Sequence, residues 1–260
     1  MTGPAVDALV LLLDAPLMAF GVPVVDQHGV TGRFPGVAQM AGLLGNALGW
    51  RHADTASLQR LQERLRLAAV VLRDGTPMRD FQTVDLSQPH LVGTGWTTRG
   101  RRQDRGGGEA TSGTHIRYRW YRTGEAIMVA FRLDPPEERP TLTDLETALD
   151  EPFRPLFIGR KACLPAAPLL VRHCRAASLA DALALGVADR QAAMRQAGVH
   201  SLEAPEFADA EWPEGEPGFP LAAGDFDRGI VYDRRDWRNQ LHGGERRVRR
   251  GRIRLKEPQP

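Results

Sequence analysis

The sequence predicts an α+β fold of the ferredoxin type, an antiparallel sheet with helices on one face. Three observations carry this: the order strand, helix, strands, helix, strand; a helical segment with a clear apolar face; and a turn at Thr123-Gly124-Glu125 between two strand-like stretches.

Residues 8–13, Ala-Leu-Val-Leu-Leu-Leu, are apolar throughout and fit a fully buried strand that Pro16 ends. Residues 37–48 place Met40, Leu43, Leu44, Ala47 and Leu48 on one helical face. The interior glycines Gly42 and Gly45 weaken that helix by roughly 1 kcal/mol each, so another backbone or a ligand should approach there closely. A second helix is predicted from an N-cap at Asp54 or Thr55 to Leu65, followed by a strand over 66–72 and a tight turn at Asp74-Gly75. Residues 118–121 and 126–133 read as strands of a hairpin, and Thr141 or Thr143 can cap a helix through Leu149.

Residues 80–115 are too long for a connection inside such a domain and are glycine-rich. They read as a protruding thumb hairpin, inserted at about 80–117, with a mobile tip around residues 106–108. The predicted organisation is a domain over 1–175 carrying this insertion, then a region over 176–260. In that second region, 178–196 is helical with a break expected at Gly186. Residues 203–216 read as an acidic solvated loop, and the chain closes on an arginine-rich strand.

The 34 basic residues nearly balance the 32 acidic ones, so distribution matters more than the net charge of +2. Lys161 and Lys256 are the only lysines. The remaining cations are guanidinium groups, which fork onto phosphates and stack on bases. Cys163 and Cys174 are too few for a disulfide framework or a zinc site. No metal or cofactor is expected. The longest apolar run is six residues, which predicts no membrane span and a cytoplasmic protein.

No Gly-x-Ser-x-Gly or phosphate-loop motif is present. His28, His90 and His115 are candidates for acid–base cleavage of RNA, with phosphate contact or a surface position as the alternative. RNA binding is the stronger chemical reading. Arginines 99, 101, 102, 105, 117, 119 and 122 surround Trp96, Tyr118, Trp120 and Tyr121, the mixture that neutralises phosphates and accepts unstacked bases. Strand alternation separates Tyr118 and Trp120 from Arg119 and Tyr121. The first pair is assigned to the core and the second to the ligand. The turn Phe157-Ile158-Gly159-Arg160-Lys161 can converge amides and two cations on a phosphate, or be a charged surface turn. The C-terminal arginines can grip RNA, displaced DNA or an acidic neighbour, or protect a sheet edge.

Taken together, Ala15-Pro16-Leu17-Met18-Ala19-Phe20-Gly21, Thr31-Gly32-Arg33-Phe34-Pro35, the 42–49 glycine helix, Arg79-Asp80-Phe81-Gln82-Thr83-Val84, residues 119–121 and residues 153–163 form a pattern in a consistent order over residues 8–175. It resembles the CasD family, RAMP-superfamily subunits of the type I-E CRISPR complex Cascade. The resemblance implies a ferredoxin-like (RRM-like) core with a thumb, and a non-catalytic subunit that caps the 5′ handle of the crRNA. It also implies contacts with the Cascade backbone and large subunits, and no membrane partner. The RNA contacts it implies, with those read from the residues, are Arg33, Gly42, Gly45, Asn46, Arg101, Arg102, Arg117, Arg119, Tyr121, Gly159, Arg160 and Lys161. Leu91, Val92 and Trp96 are the expected partner contacts. Related type I-C subunits cut precursor RNA without metal, which is the alternative activity, but no Tyr–Lys–His set is recognisable here. The C-terminal region has no counterpart in the resemblance; a lineage-specific partner or target DNA within the complex are its open roles.

Overall fold

The computed structural model describes residues 5–24, 26–85, 94–96, 101–104, 113–198, 204–217 and 227–255. The apolar run forms β1 (Val6–Asp14), buried on both sides. Leu9, Leu11 and Leu13 enter one core layer, while Ala8 and Val10 enter another. A strand covered twice needs no polar alternation, which explains the unbroken run.

Two short strands, β2 (Leu17–Met18) and β3 (His28–Gly29), precede α1 (Val37–Ala47) and α2 (Thr55–Arg64), which runs directly into β4 (Leu65–Arg73). Then come β5 (Thr76–Asp85), the paired β6 (Thr94–Trp96) and β7 (Arg102–Asp104), β8 (Thr114–Thr123) and β9 (Ala126–Leu133). α3 (Leu142–Asp150) begins at Thr141 with a reciprocal cap: Thr141 Oγ1 accepts from the Asp144 amide, and the Asp144 carboxylate accepts from the Thr141 amide. β10 (Leu170–Ala176), α4 (Leu179–Gln196), β11 (Phe207–Pro213), β12 (Asp227–Asp236) and β13 (Leu241–Arg254) complete the chain.

The main sheet has the order β10-β1-β9-β4-β11-β13-β12, antiparallel throughout. Its first four strands, with the helices between them, make the βαββαβ unit expected of a ferredoxin-like core. Helices α1, α2 and α3 pack on the face carrying Leu9, Leu11 and Leu13.

Four expectations need correction. The second face is also covered: α4 lays Leu179, Leu183 and Val187 against Ala8, Val10, Met128 and Ala130. That helix does not break at Gly186. A Cβ there would meet Val10 Cγ1 at 2.6 Å and Met128 Sδ at 2.9 Å, so the glycine lets the helix reach the sheet. Residues 207–213 are not a solvated loop but strand β11, between β4 and β13. Ala208, Ala210 and Trp212 point into the second core, and Glu211 is buried on Arg246 and Arg250. Finally, β8 and β9 are not hairpin partners. β8 pairs with β5 in a separate sheet over Thr76↔Thr123 to Asp85↔Thr114, making the thumb root longer than predicted.

Asp74-Gly75 and Gly124-Glu125 are therefore the two corners at which a ribbon bends out of the main sheet. Gly124 has φ +64°, and a Cβ on Gly75 would meet the Thr123 carbonyl at 2.6 Å. Glu125 is fully buried at this corner, bound by Arg33 and by Arg122 at 2.9 Å. The tip around residues 106–108 lies outside the described residues.

Candidate nucleic-acid interface

The glycine face of α1 borders a cleft of about 570 Å³. Its other walls are residues 19–24, the turn around Gly159, and the corner joining β12 to β13. Gly42, Asn46, Gly159, Arg160 and Lys161, all expected as RNA contacts, line this one space. Gly42 faces Trp237 across it, and an added Cβ would stand in ordinary contact with that ring at 3.4 Å. Gly45 does not belong there. A Cβ on it would meet Leu58 Cδ2 at 2.7 Å, so its role is to let α2 approach α1. Asn46 reaches across to donate its amide to the Pro155 carbonyl at 2.8 Å.

The Gly159 turn is built by backbone constraints. Gly159 has φ +106°, and a Cβ would fall 1.9 Å from the Ala19 carbonyl oxygen, a position only glycine can occupy. The Ala19 amide donates to the Ile158 carbonyl, and the Cys163 amide donates to the Arg160 carbonyl. Arg160 then donates to the Trp120 and Gly29 carbonyls at 2.7 and 2.8 Å, tying the turn to the root of the thumb. Lys161 is exposed at the rim. Burial, the leading influence, pushes the Cys163 thiol pKa up, which is unfavourable for a nucleophile.

On the thumb, the alternation is opposite to that predicted at its key position. Tyr121 is only 4% exposed and belongs to the main core, so it is not a stacking platform for a ligand. The reason is its register beside Met78 at the root of the ribbon, where the strand still covers the core. Tyr118 and Trp120, assigned to the core from sequence, are half-buried on the opposite face with their partners Phe81 and Arg79. There His28 stacks on Tyr118 at 4.9 Å with an interplanar angle of 6°. Phe81 lies tilted 5.6 Å from Tyr118, and Arg79 stands over Tyr118 at 5.2 Å. Phe81 is 56% exposed, so the cluster presents an open aromatic and cationic surface.

Arg119 and Arg117 are exposed on the other face, opposite Asp80 and Gln82. Arg101 is exposed, and Arg102 pairs with Trp96 in the β6–β7 ladder. Leu91 and Val92 lie outside the described residues. Arg33 needs correction as a phosphate contact. Its guanidinium is taken by Glu125, Asp74 at 2.9 Å and Asp209 at 3.4 Å, so internal carboxylates neutralise it.

Sequence reasoning missed Arg79, Phe81, Tyr232, Arg234, Arg235, Trp237 and His242. Arg234, Arg235, Trp237 and His242 were signalled only by the basic turn of composition from residue 234, with nothing to place it beside α1, and Tyr232 carried no signal.

Residues 8–249 match the family model described as CRISPR-associated protein (Cas_Cas5). The chain is 31% identical over 183 residues to the CRISPR system Cascade subunit CasD of Escherichia coli (strain K12), a match covering 67% of this chain and 75% of that protein. In fold it is similar to a chain of a CRISPR RNA-guided surveillance complex, with a TM-score of 0.61 and 18% identity, covering 95% of this chain and 90% of the other. A solved structure described as a Cas protein superposes with a TM-score of 0.58 at 20% identity, covering 95% of each chain.

Proposed function

This chain belongs to the Cas5 family of CRISPR-associated proteins, and on that premise we propose that it is the guide-RNA-binding subunit of a type I-E Cascade complex, capping the crRNA 5′ handle without cutting it. The observation that carries the reading is the convergence of Gly42, Asn46, Gly159, Arg160 and Lys161 on one cleft whose turn is tied by Arg160 to the thumb root. A single strand needs phosphate neutralisation beside open π-faces. Lys161, Arg119 and Arg117 supply the first, and the Tyr118–Phe81–His28 cluster supplies the second.

The thumb separates handle from spacer and carries the contacts to the backbone and large subunits, with target DNA reached through the assembled particle. Catalysis is assigned to no residue. The alternative, metal-independent cleavage of precursor crRNA, finds no supporting site among the described residues: His28 is stacked on Tyr118, and His115 stands exposed opposite Val84, while His90 lies outside the described residues.

Purified protein mixed with precursor crRNA should retain the RNA on a native gel and leave its length unchanged on a denaturing one. Defined cleavage products without added metal would replace this reading with the nuclease. Failure to bind repeat RNA or to join the other Cascade subunits would remove it.

A further inference from the structure

We infer that the corner between β12 and β13 forms the phosphate-binding wall of the cleft, with Arg234 and Arg235 gripping the backbone of one lodged nucleotide of single-stranded RNA. The inference rests on the RNA-binding reading above and assigns a role to the C-terminal region that the resemblance leaves without one.

The arginines of this region are not equivalent. Arg246 is held by Asp233 at 2.7 Å and Glu211 at 3.1 Å, and Arg250 by Glu211 at 2.7 Å. Their charges are neutralised inside the protein. Arg234 and Arg235 are half-buried and have no ion pair among the described residues. Arg235 donates to the Gln240 side-chain oxygen at 2.6 Å and lies 5.4 Å over the Trp237 ring, while its Nε is buried without a hydrogen-bond partner. Burial alone lowers its pKa, since no carboxylate offsets it. A half-buried guanidinium left without a counter-charge is stabilised by an anion supplied from outside.

The surroundings name the anion. The cleft lining carries four cations, Arg160, Lys161, Arg234 and Arg235, against the single carboxylate of Asp233, which Arg246 already occupies. Phe20, Val22 and Val30 contribute apolar surface to the same lining. Its volume falls in the range of roughly 300–1,000 Å³ typical of small-molecule sites, room for a base with its phosphates.

The wall is also rigid. Gln62 of α2 donates to the Arg235 carbonyl at 3.0 Å and accepts from the Arg235 amide at 3.0 Å and the Trp237 indole at 3.2 Å. Trp237 is buried in the main core. The corner is thus fixed before any ligand arrives, which lowers the ordering cost of binding.

The test measures binding of a 3′-fluorescein-labelled single-stranded RNA of the repeat-derived handle sequence to the full chain, by anisotropy across a salt series. Arg234→Ala and Arg235→Gln should each weaken binding about tenfold, the loss expected for one charge-assisted contact. Each should also make the salt slope shallower by about 0.7 per lost phosphate. Arg175→Ala removes the same charge from β10, at the opposite edge of the sheet, and should stay within about twofold of wild type. Wild-type affinity and slope in both cleft variants, with handle RNA still bound, would overturn the phosphate wall and leave the RNA-binding reading standing. An equal loss in Arg175→Ala would also overturn it, because charge alone would then account for the effect. Absence of binding by the wild-type chain would overturn both readings together.

Discussion

The Arg160 guanidinium lies 4.8 Å above the Tyr121 ring. Both residues read from sequence as separate RNA contacts, yet in the fold they are one structural unit: a core ring, a cation on its face, and two backbone carbonyls accepting from two of the cation's N–H groups. The unit joins the Gly159 turn to the thumb, so it shapes the cleft even where it does not touch RNA.

Removing Arg160 should therefore cost stability as well as binding. Arg160→Ala deletes two charge-assisted hydrogen bonds and a cation–π contact, and should destabilise the protein by about 2–3 kcal/mol. Urea unfolding checks this through a lower midpoint with an unchanged slope. An unaltered midpoint would mean that solvent replaces those contacts without loss.

Gly159→Ala combines a positive φ with a clash against the Ala19 carbonyl. The turn must move to accept it, breaking the bond from the Ala19 amide to Ile158. A loss of about 3–4 kcal/mol is expected, at the upper end for a single substitution. Thermal unfolding of the variant reads it directly, and a wild-type melting temperature would show that this backbone is not fixed as described.

Phe81→Ala tests the open face of the thumb. The ring is largely exposed, so folding stability should change by less than about 0.5 kcal/mol. Handle-RNA affinity should fall by about 1–3 kcal/mol if a base stacks on the cluster. Equal binding by variant and wild type would remove the stacking assignment and leave the cleft untouched.

Protonation of His173 links β10, α3 and β1. Its Nδ1 lies 2.6 Å from Glu146, and its Nε2 lies 3.1 Å from Asp7. Burial, the largest influence, lowers its pKa, but the two carboxylates together outweigh it and the net shift is upward. The stability this contributes is fully present below the unfolded-state value of about 6.5 and is lost as pH rises through the folded-state value. The stability difference between wild type and His173→Gln should thus shrink as pH is raised from about 6 to 8. A difference that grows over the same range would contradict the assignment.

Glu211→Gln tests the joint that holds β13 in the sheet. The carboxylate is buried between Arg246 and Arg250, and its loss leaves guanidinium charge under-compensated. About 3 kcal/mol of destabilisation is expected, measurable by denaturant unfolding.

The ferredoxin-like core was legible because each of its elements announces itself locally: β1 by its unbroken apolar run, α1 by the spacing of Met40, Leu43 and Leu44, and α3 by a threonine able to cap it, of which the structure selects Thr141 over Thr143. The Gly159–Lys161 segment was legible as a turn but not as a site, since a glycine followed by two cations fits a phosphate contact or a charged surface turn equally well. What stayed hidden depends on pairing over long sequence distances. Strand β11 looks like an acidic loop until Glu211 meets arginines 35 and 39 residues later. Alternation fixed which thumb residues share a face, but the side facing the core is set by where the ribbon leaves the sheet, and that reversed the roles of Tyr121 and Tyr118. Arg33 was misread because its three carboxylate partners are scattered from Asp74 to Asp209.

The most direct test of the central claim is photocrosslinking of thiouridine-substituted crRNA within the assembled complex, with the attached peptides identified by mass spectrometry. Handle nucleotides should attach to this chain within residues 19–24, 157–161 and 232–242. Crosslinks from the handle confined to other subunits, with these three segments unmodified, would contradict the account.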